Sequence, residues 1–270
     1  MSHQEKAPSG VDPSIPSVAR MYDYYLGGKD NFAADRIAAE KIIEIVPNAR
    51  ESARTNREFL SRAVRHMVNA GVRQFIDIGA GLPTQQNVHE VALNVAPKSR
   101  IVYVDNDPLV LVHGRALLAD NPNTIVVDAD LNDPGSVLGH EAVRAHIDFG
   151  QPVGILLLAV LHFVPDDRDA ARIVRELCSP LTAGSHLVIS HGHAGELPSS
   201  SQQRGRDVYT NTGAGGVVSR SRQQLAAWFD GLELAEPGVV PVQAWRPENE
   251  WEEAPDVTKP GLFGGVGRIP

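Results

Sequence analysis

The sequence FIDIGAGLPT at residues 75–84 decides the fold of this chain. Its apolar first half is typical of a β-strand that is buried on both faces. Gly79 and Gly81 then permit a tight turn with positive φ and let a ligand approach the backbone closely. Pro83 suits the first turn of a helix, where its missing N–H has no bond to lose. The stretch therefore predicts a strand, a glycine turn and a helix N-terminus, an arrangement that offers free N–H groups to a polar ligand.

Two further apolar runs end in acidic residues. The run at 101–104 stops at Asp105, and the run at 125–127 stops at Asp128. About 24 positions separate Gly81 from Asp105, close to the ~20 expected of a βαβ unit. In such units a carboxylate that ends the second strand accepts hydrogen bonds from ribose hydroxyls. The repeated pattern, with helical stretches between the runs, predicts an α/β fold.

Five motifs carry a resemblance to a known family. DIGAGLPT at 77–84, YVDND at 103–107 and DADLND at 128–133 are similar to the glycine, ribose and adenine-side motifs of the class I, Rossmann-like methyltransferases that use S-adenosylmethionine (SAM). More narrowly, YDYYLGGKDNFAADR at 22–36 and FGGVGRIP at 263–270 resemble an actinobacterial SAM methyltransferase family whose substrates are mostly unassigned. The resemblance covers nearly the whole chain.

The resemblance implies a fold, a cofactor and a reaction. The fold is a seven-stranded, mostly parallel Rossmann-like sheet with its last strand antiparallel, helices on both faces and an N-terminal helical cap. The cofactor is SAM, whose methyl group passes to an acceptor by direct in-line displacement, so that a general base is optional. A small molecule is the expected acceptor, and the family does not supply its identity.

The chain is expected to form one domain behind a short tail. Residues 1–13 are polar and contain Pro and Gly, which predicts a mobile tail. Three helical patterns precede the first strand, so residues 14–71 are predicted to form the cap or lid and residues 72–270 the core.

Several later elements are predicted from their composition. The most apolar run, 153–161, predicts the central fourth strand, with His162 directly after it. Residues 134–145 predict one helix and residues 186–190 the fifth strand. Residues 191–217 are rich in Gly, Ser and polar side chains, so they are either a functional loop or a loop that contains a helix.

The glycine turn and the end of the second strand supply most of the predicted cofactor contacts. The backbone of Gly79, Ala80 and Gly81 lies flat against the ligand because no large side chain intrudes. Asp77 either orients the turn or accepts a hydrogen bond from the SAM amine. Asp105 is the predicted partner of the ribose hydroxyls, and a charged hydrogen bond of this kind contributes about 1.5–3 kcal/mol.

The adenine contacts are predicted around the end of the third strand. Asn106 is expected beside the ring, and Asp130 with the backbone of Leu131 is expected at the adenine amine. Asp128 competes for this role, because residues 128 and 130 fall on the same strand face by alternation. The family pattern favours Asp130.

The GGKDNF segment at 27–32 has two interpretations. One is a helix C-cap followed by a new helix start. The other is a lid in which Gly27 and Gly28 act as hinges and Lys29 or Asn31 contacts the cofactor. The family resemblance favours the lid.

Three histidines are candidates for contact with a ligand. His162 follows the fourth strand at the carboxyl edge, where open α/β sheets bind ligands, and is predicted either to contact the cofactor or to be a satisfied core residue. His191 and His193 form a His-x-His pair that could act as a general base, or could belong to a polar loop. No metal site is predicted, since no Cys or third carboxylate ligand accompanies the pair.

Composition restricts the partners. The net charge of −8 and the pI near 5.7 argue against nucleic acid, which clustered Lys and Arg would bind. The single Cys178 fits a reducing cytoplasm, and no apolar run approaches the ~18 residues of a membrane span. The sequence does not decide whether the chain forms a homodimer.

Two rival functions share parts of this pattern. An NAD-dependent oxidoreductase uses the same βαβ logic, but its G-x-G-x-x-G fingerprint needs a third glycine where this chain has Thr84. The other rival is a non-catalytic module that binds SAM or S-adenosylhomocysteine (SAH), which nothing in the sequence opposes.

Overall fold

The structure is a computed structural model, and it describes residues 7–8, 10–83, 86–118, 121–248 and 255–270. Most of the predicted tail and Thr84 of the glycine motif lie outside the described residues.

A single mixed sheet forms the centre of the fold. Its strands are β1 (Gln74–Ile78), β2 (Arg100–Asp105), β3 (Thr124–Asp128), β4 (Val153–Leu158), β5 (His186–His193), β6 (Glu233–Leu234), β7 (Val240–Pro241) and β8 (Gly261–Arg268). The spatial order is β3-β2-β1-β4-β5-β8-β6, with β7 also paired to β8. Strands β1 to β5 are mutually parallel, and β8 runs antiparallel to β5. The predicted Rossmann-like sheet with an antiparallel last strand is therefore confirmed. The described residues form eight strands and not the predicted seven, and two of them, β6 and β7, are only two residues long.

Helices cover both faces of this sheet. They are α1 (Val18–Tyr25), α2 (Ala33–Ile45), α3 (Ala49–Asn69), α4 (Val88–Val95), α5 (Pro108–Leu117), α6 (Pro134–Gly139), α7 (Glu141–His146), α8 (Asp167–Cys178), α9 (Ser199–Thr210) and α10 (Arg222–Ala227). Alternation along β1 divides the core, because Phe75 packs with α3 and α4 while Ile76 and Ile78 pack with α7 and α8. All five residues of β1 are buried, including Gln74 and Asp77 beside the apolar residues that predict a strand covered on both faces.

The N-terminal region divides at the start of α3. Helices α1 and α2 share a small core built around Met21, Ala39 and Ile42, to which the start of α3 adds Ala49 and Ala53. A buried ion pair joins them, in which Nε of Arg20 lies 2.9 Å from Oδ2 of Asp35. In contrast, α3 packs on the sheet through residues such as Phe59. The start of α3 thus packs with α1 and α2, and the rest of α3 packs with the sheet layer.

Glycines on β8 explain the closing motif of the sequence. A Cβ on Gly264 would lie 2.8 Å from the ring of Phe59 on α3, and a Cβ on Gly267 would lie 2.8 Å from the ring of Phe229. The strand therefore has bare backbone where bulky side chains approach from both faces of the sheet.

The structure corrects the predicted end of β4. The predicted strand 153–161 stops at Leu158, and Ala159 adopts a left-handed conformation with φ of +54°. A 3-10 turn at Leu161–Phe163 follows and contains His162. Both the oxygen and the Oγ of Ser190 accept a hydrogen bond from the Ala159 N–H, which turns the chain away from the sheet.

Three other boundaries also differ from the predictions. Strand β5 continues to His193, because β8 pairs with it as far as His193 opposite Gly261. Residues 191–217 contain helix α9, one of the two alternatives for that stretch. The helix predicted at 134–145 is two short helices, and His140 caps the second one by accepting a hydrogen bond from the N–H of Ala142.

Candidate active site

The ends of β1, β2 and β3 lie side by side at one edge of the sheet. Backbone N–H groups of Gly79 and Ala80 donate to the oxygen of Val104, at 2.8 and 3.2 Å. In the same way, the N–H of Ala129 donates to the oxygen of Asp105 at 3.4 Å. The structure therefore brings the glycine turn and both predicted acidic ends to a common crevice, where open parallel sheets bind ligands.

Asp105 links the second strand to the glycine turn. Its carboxylate accepts hydrogen bonds from the N–H of Gly81 at 2.8 Å and from the N–H of Asp107 at 2.9 Å. Burial raises the pKa of Asp105, and these two hydrogen bonds oppose the rise. Because a carboxylate has about four acceptor sites, it can hold the turn and still accept from ligand hydroxyls.

Asp77 is the most unusual carboxyl group at this edge. It is only 4% exposed, and no hydrogen bond within the described residues reaches its carboxyl oxygens. Burial raises the pKa of Asp77 to about 7, with Arg57 opposing the rise and Asp105 adding to it. A buried carboxyl without a partner is a site for a cationic donor, and the amine of SAM has that chemistry.

The two glycines of the turn serve different purposes. Gly79 has φ of +72°, and a Cβ there would meet Cγ2 of Val160 at 2.5 Å. Gly81 has φ of +67°, but a Cβ there would meet no protein atom within 4 Å. Gly79 thus packs the turn against the segment after β4, whereas Gly81 faces open space. The residues at this edge fit SAM by their charge and by their lack of bulk.

The two carboxylates that compete for the adenine occupy different positions at the end of β3. Asp128 is the register partner of Asp105 across β2 and β3. Asp130 lies beyond the strand end and accepts hydrogen bonds from the backbone and side-chain nitrogens of Asn132, at 2.8 and 2.9 Å. Both side chains are exposed, so either can reach a ligand in the crevice.

The other predicted residues near the adenine differ in exposure. Asn106 is exposed on the turn after β2, and Ala80 is half-buried in the glycine turn. Leu131 is buried in the core on one face of the sheet, so only its backbone is suited to a ligand contact.

The GGKDNF segment folds around one buried carboxylate. Oδ2 of Asp23 accepts from the N–H of Asp30 at 3.0 Å and from Nδ2 of Asn31 at 2.8 Å. A Cβ on Gly28 would overlap the same carboxylate, so glycine is required there. Gly28 and Asn31 therefore shape the loop, while Lys29 is exposed on it.

This loop and helix α1 lie against the cofactor edge. Phe32 packs on a small cluster that contains Leu82 of the glycine motif and Leu109 of α5. Ser17, just before α1, donates a hydrogen bond from its Oγ to Oδ2 of Asp107. The cap is thus fastened beside the crevice at two points.

A hydrogen-bonded chain joins the sheet to the cap. The Oγ of Ser190 on β5 donates to Oδ1 of Asn56 at 2.7 Å, and Nδ2 of Asn56 donates to the hydroxyl of Tyr22 at 3.0 Å. The same Ser190 holds the left-handed Ala159. Sequence analysis missed Asn56, and the available signal was a polar residue on the otherwise apolar face of α3.

His191 uses both of its ring nitrogens. Nδ1 donates to the oxygen of Gly192 at 2.8 Å, and Nε2 accepts from Nη1 of Arg220 at 3.0 Å. Arg220 is buried and also donates to Asp167 at 2.8 Å and to the oxygen of Val164 at 2.9 Å. Burial lowers the pKa of His191 to about 4. The geometry leaves His191 no free nitrogen for a general base and gives it a positioning role beside the turn after β4.

His162 and His193 have free ring nitrogens. The N–H of Gly192 donates to Nδ1 of His162 at 3.4 Å, and no described residue bonds to its Nε2. His193 stacks on Phe263 with ring centroids 4.1 Å apart, and its ring has no hydrogen-bond partner within the described part of the chain. Burial lowers the pKa of both rings, so both are neutral at pH 7.

Both rings line a cavity of about 220 Å³ between the cap, α9 and the ends of β4 and β5. Ala159 and His162 belong to its wall, and Val160 between them packs on Gly79. The cavity therefore begins where the cofactor crevice ends. Its aromatic walls come from Tyr22, Tyr25, Phe163 and Tyr209.

The described residues contain neither a metal-binding cluster nor a membrane-spanning helix. No group of three or more His, Cys, Asp or Glu side chains among them could hold a metal ion. None of the helices in the described ranges is both long and apolar enough to cross a membrane.

Comparison with solved structures finds close relatives over the whole chain. A DUF574 family protein from Streptomyces avermitilis is 40% identical, with a TM-score of 0.89, covering 96% of this chain and 99% of its own. A candidate methyltransferase from Thermobifida fusca is 42% identical, with a TM-score of 0.90 and coverage of 97% and 98%. An O-methyltransferase family protein from Burkholderia thailandensis shares the fold at 13% identity, with a TM-score of 0.52 and coverage of 92% and 63%.

The family comparison agrees with the geometry. No curated protein matches the chain significantly. The model of the S-adenosyl methyltransferase family matches residues 4–270, which include the glycine turn, the acidic strand ends and the cap. The chain therefore belongs to the S-adenosyl methyltransferase family, and SAM is its methyl donor.

Proposed function

We propose that this methyltransferase acts on a small molecule that binds in the cavity beneath the cap. One observation carries the proposal: the turn after β4 contributes Val160 to the packing of Gly79 and contributes Ala159 and His162 to the cavity wall. An acceptor in this cavity lies next to the cofactor crevice. Ala159 holds a strained backbone conformation at this junction, which is a common feature of functional sites.

Residues at the strand ends are proposed to hold the cofactor. Asp105 accepts from the ribose hydroxyls, Asp77 accepts from the amine, and Gly81 leaves room for the ligand at the turn. Asp130 accepts from the adenine amine, with Asp128 as the competing partner. Bound SAM supplies a methyl group on a positively charged sulfur, which an acceptor atom can attack in line.

The protein contributes position and exclusion of water. Helices α1 and α2 form the proposed lid, and the chain from Ser190 through Asn56 to Tyr22 ties this lid to the sheet. Holding two reactants in attack geometry supplies a large part of the rate in such displacements. The lid also keeps the acceptor cavity apart from bulk water.

Titration calorimetry tests the cofactor half of the proposal. SAM and SAH should bind with a stoichiometry of one, and NAD should not compete. Binding of NAD without binding of SAM would overturn the proposal. Transfer of label from methyl-labelled SAM to a panel of small molecules tests the second half. If SAM binds but no acceptor is labelled across a broad panel, a ligand-sensing module becomes the better explanation.

A further inference from the structure

The residues that line the cavity beneath the cap favour an uncharged ligand. Its described lining is mostly aromatic and aliphatic and contains no Asp, Glu or Lys. Arg206 is the only Arg among these lining residues, and its Nε and Nη2 both donate to Gln203 on the exposed side of α9. A cationic acceptor would therefore lose its hydration here without gaining a counter-charge, and an anionic one would find only Arg206, whose Nε and Nη2 are already engaged.

The size of the cavity suits a ring. An apolar protein cavity of about 150 Å³ accepts benzene, so about 220 Å³ accommodates one substituted ring. Tyrosine and phenylalanine side chains favour planar partners through edge and face contacts. Phe163 and Tyr209 already meet in this way, with ring centroids 5.5 Å apart.

Two imidazoles provide the polar contacts. Nδ1 of His162 accepts the N–H of Gly192, so the proton of this neutral ring is on Nε2, which can only donate. His193 follows Gly192 directly and has an unengaged ring, so one of its nitrogens can accept. The two rings thus offer one donor and one acceptor beside the same segment of β5, since Gly192 bonds to His162 and directly precedes His193. A hydroxyl group is the smallest group that uses both.

We propose, on the basis of the proposed function, that the acceptor is an uncharged aromatic molecule whose hydroxyl group lies between His162 and His193. His162 donates its Nε2–H to the hydroxyl oxygen and orients it. His193 accepts the hydroxyl proton as that oxygen forms its bond to the methyl carbon. The carbon–sulfur bond breaks at the same time and its electron pair stays on sulfur, so the products are a neutral methyl ether, SAH and a protonated His193.

Four ring compounds of matched shape test the charge selection. In the presence of saturating SAH, ligand-observed NMR would measure the dissociation constants of 4-methylphenol, 4-methylanisole, 4-methylbenzylamine and 4-methylbenzoate for the full chain. The phenol should bind at least tenfold more tightly than the amine or the carboxylate. Equal or tighter binding of either charged compound, or binding of none of the four, would overturn the proposal.

Variants on α9 test the location. Gly205 lines the cavity, and a Cβ there would meet no protein atom within 4 Å. Gly205→Phe should therefore fill the cavity and weaken binding of 4-methylphenol at least tenfold. The matched control Arg204→Phe alters an exposed position on the same helix and should leave binding unchanged. Unchanged phenol binding in Gly205→Phe would contradict the location.

The role of His193 has its own control. His193→Ala should weaken 4-methylphenol several-fold and leave 4-methylanisole unchanged, because the ether has no proton to give. Equal losses for both compounds would assign His193 to packing only. SAH affinity is measured first in every variant. Failure of SAH to bind to the native chain would refute the proposed function, whereas normal SAH binding with the wrong acceptor preference refutes only this inference.

Discussion

At the scale of single residues, Asp77 combines burial with the lack of a hydrogen-bond partner for its carboxyl group among the described residues. Its pKa of about 7 means that the folded chain still binds a proton at pH values where the unfolded chain, with the ordinary carboxyl pKa of 3.8, has released it. The free energy of unfolding therefore falls as pH rises between about 4 and 7. The chain tolerates this loss at the position where a cationic amine is expected.

Replacement of this carboxyl group by a neutral amide tests that account. Asp77→Asn should raise the free energy of unfolding of the ligand-free protein at pH 8 by roughly 1–3 kcal/mol, with little change at pH 4. The same variant should bind SAM at least tenfold more weakly. Chemical denaturation at the two pH values and calorimetry would measure these effects. A variant that is less stable than the native chain at pH 8 would contradict the assignment.

Asp105 carries a second prediction at this scale. Asp105→Ala should weaken SAM binding at least tenfold, or about 1.4 kcal/mol, because it removes the ribose partner and releases the N–H of Gly81. Asp128→Ala and Asp130→Ala, compared by calorimetry, separate the adenine candidates, and only one of them should match this loss. An unchanged affinity in Asp105→Ala would remove Asp105 from the site.

At the scale of elements, the cap loop depends on one contact. Gly28→Ala would push a Cβ into the carboxylate of Asp23 and so separate it from Asp30 and Asn31. We expect faster hydrogen exchange across residues 18–48 and weaker SAM binding, with the sheet unaffected. Gly139→Ala is the control, since a Cβ there has open space. Native exchange rates in the cap of Gly28→Ala would show that the loop does not depend on this contact.

At the scale of the whole molecule, the closing strand sets how closely the helices approach the sheet. Gly264→Ala should lower the free energy of unfolding by about 1–3 kcal/mol, because the new methyl group would lie 2.8 Å from Phe59 in a packed interior. Thermal denaturation would measure this loss. Gly205→Ala, where a new Cβ would meet no atom within 4 Å, is the control. An unchanged free energy of unfolding in Gly264→Ala would mean that α3 can move away from the sheet without destabilising the fold.

Local signals predicted most of this architecture. The apolar runs at β1 and β2 and the acidic ends after them depend on neighbouring residues, and their parallel order follows from the βαβ pattern. Elements that depend on distant partners were predicted less well. Strand β5 extends to His193 because β8, almost 70 positions later, pairs with it. The turn at Ala159 depends on Ser190, and the link through Asn56 joins three elements that are remote in sequence. No periodicity reports such contacts.

The glycine backbone of β8 also influences the dimensions of the cavity beneath the cap. Where one ring rests directly on main chain, that ring alone sets the distance between the helix and the strand. Helix α3 rests on the backbone of Gly264 through the ring of Phe59 and carries Asn56 toward Tyr22. The distance between α3 and the sheet is therefore fixed by the packing of Phe59 on the backbone of Gly264. This distance sets the height of the cavity beneath the cap, whereas α9, His162 and His193 determine which ligand fits it.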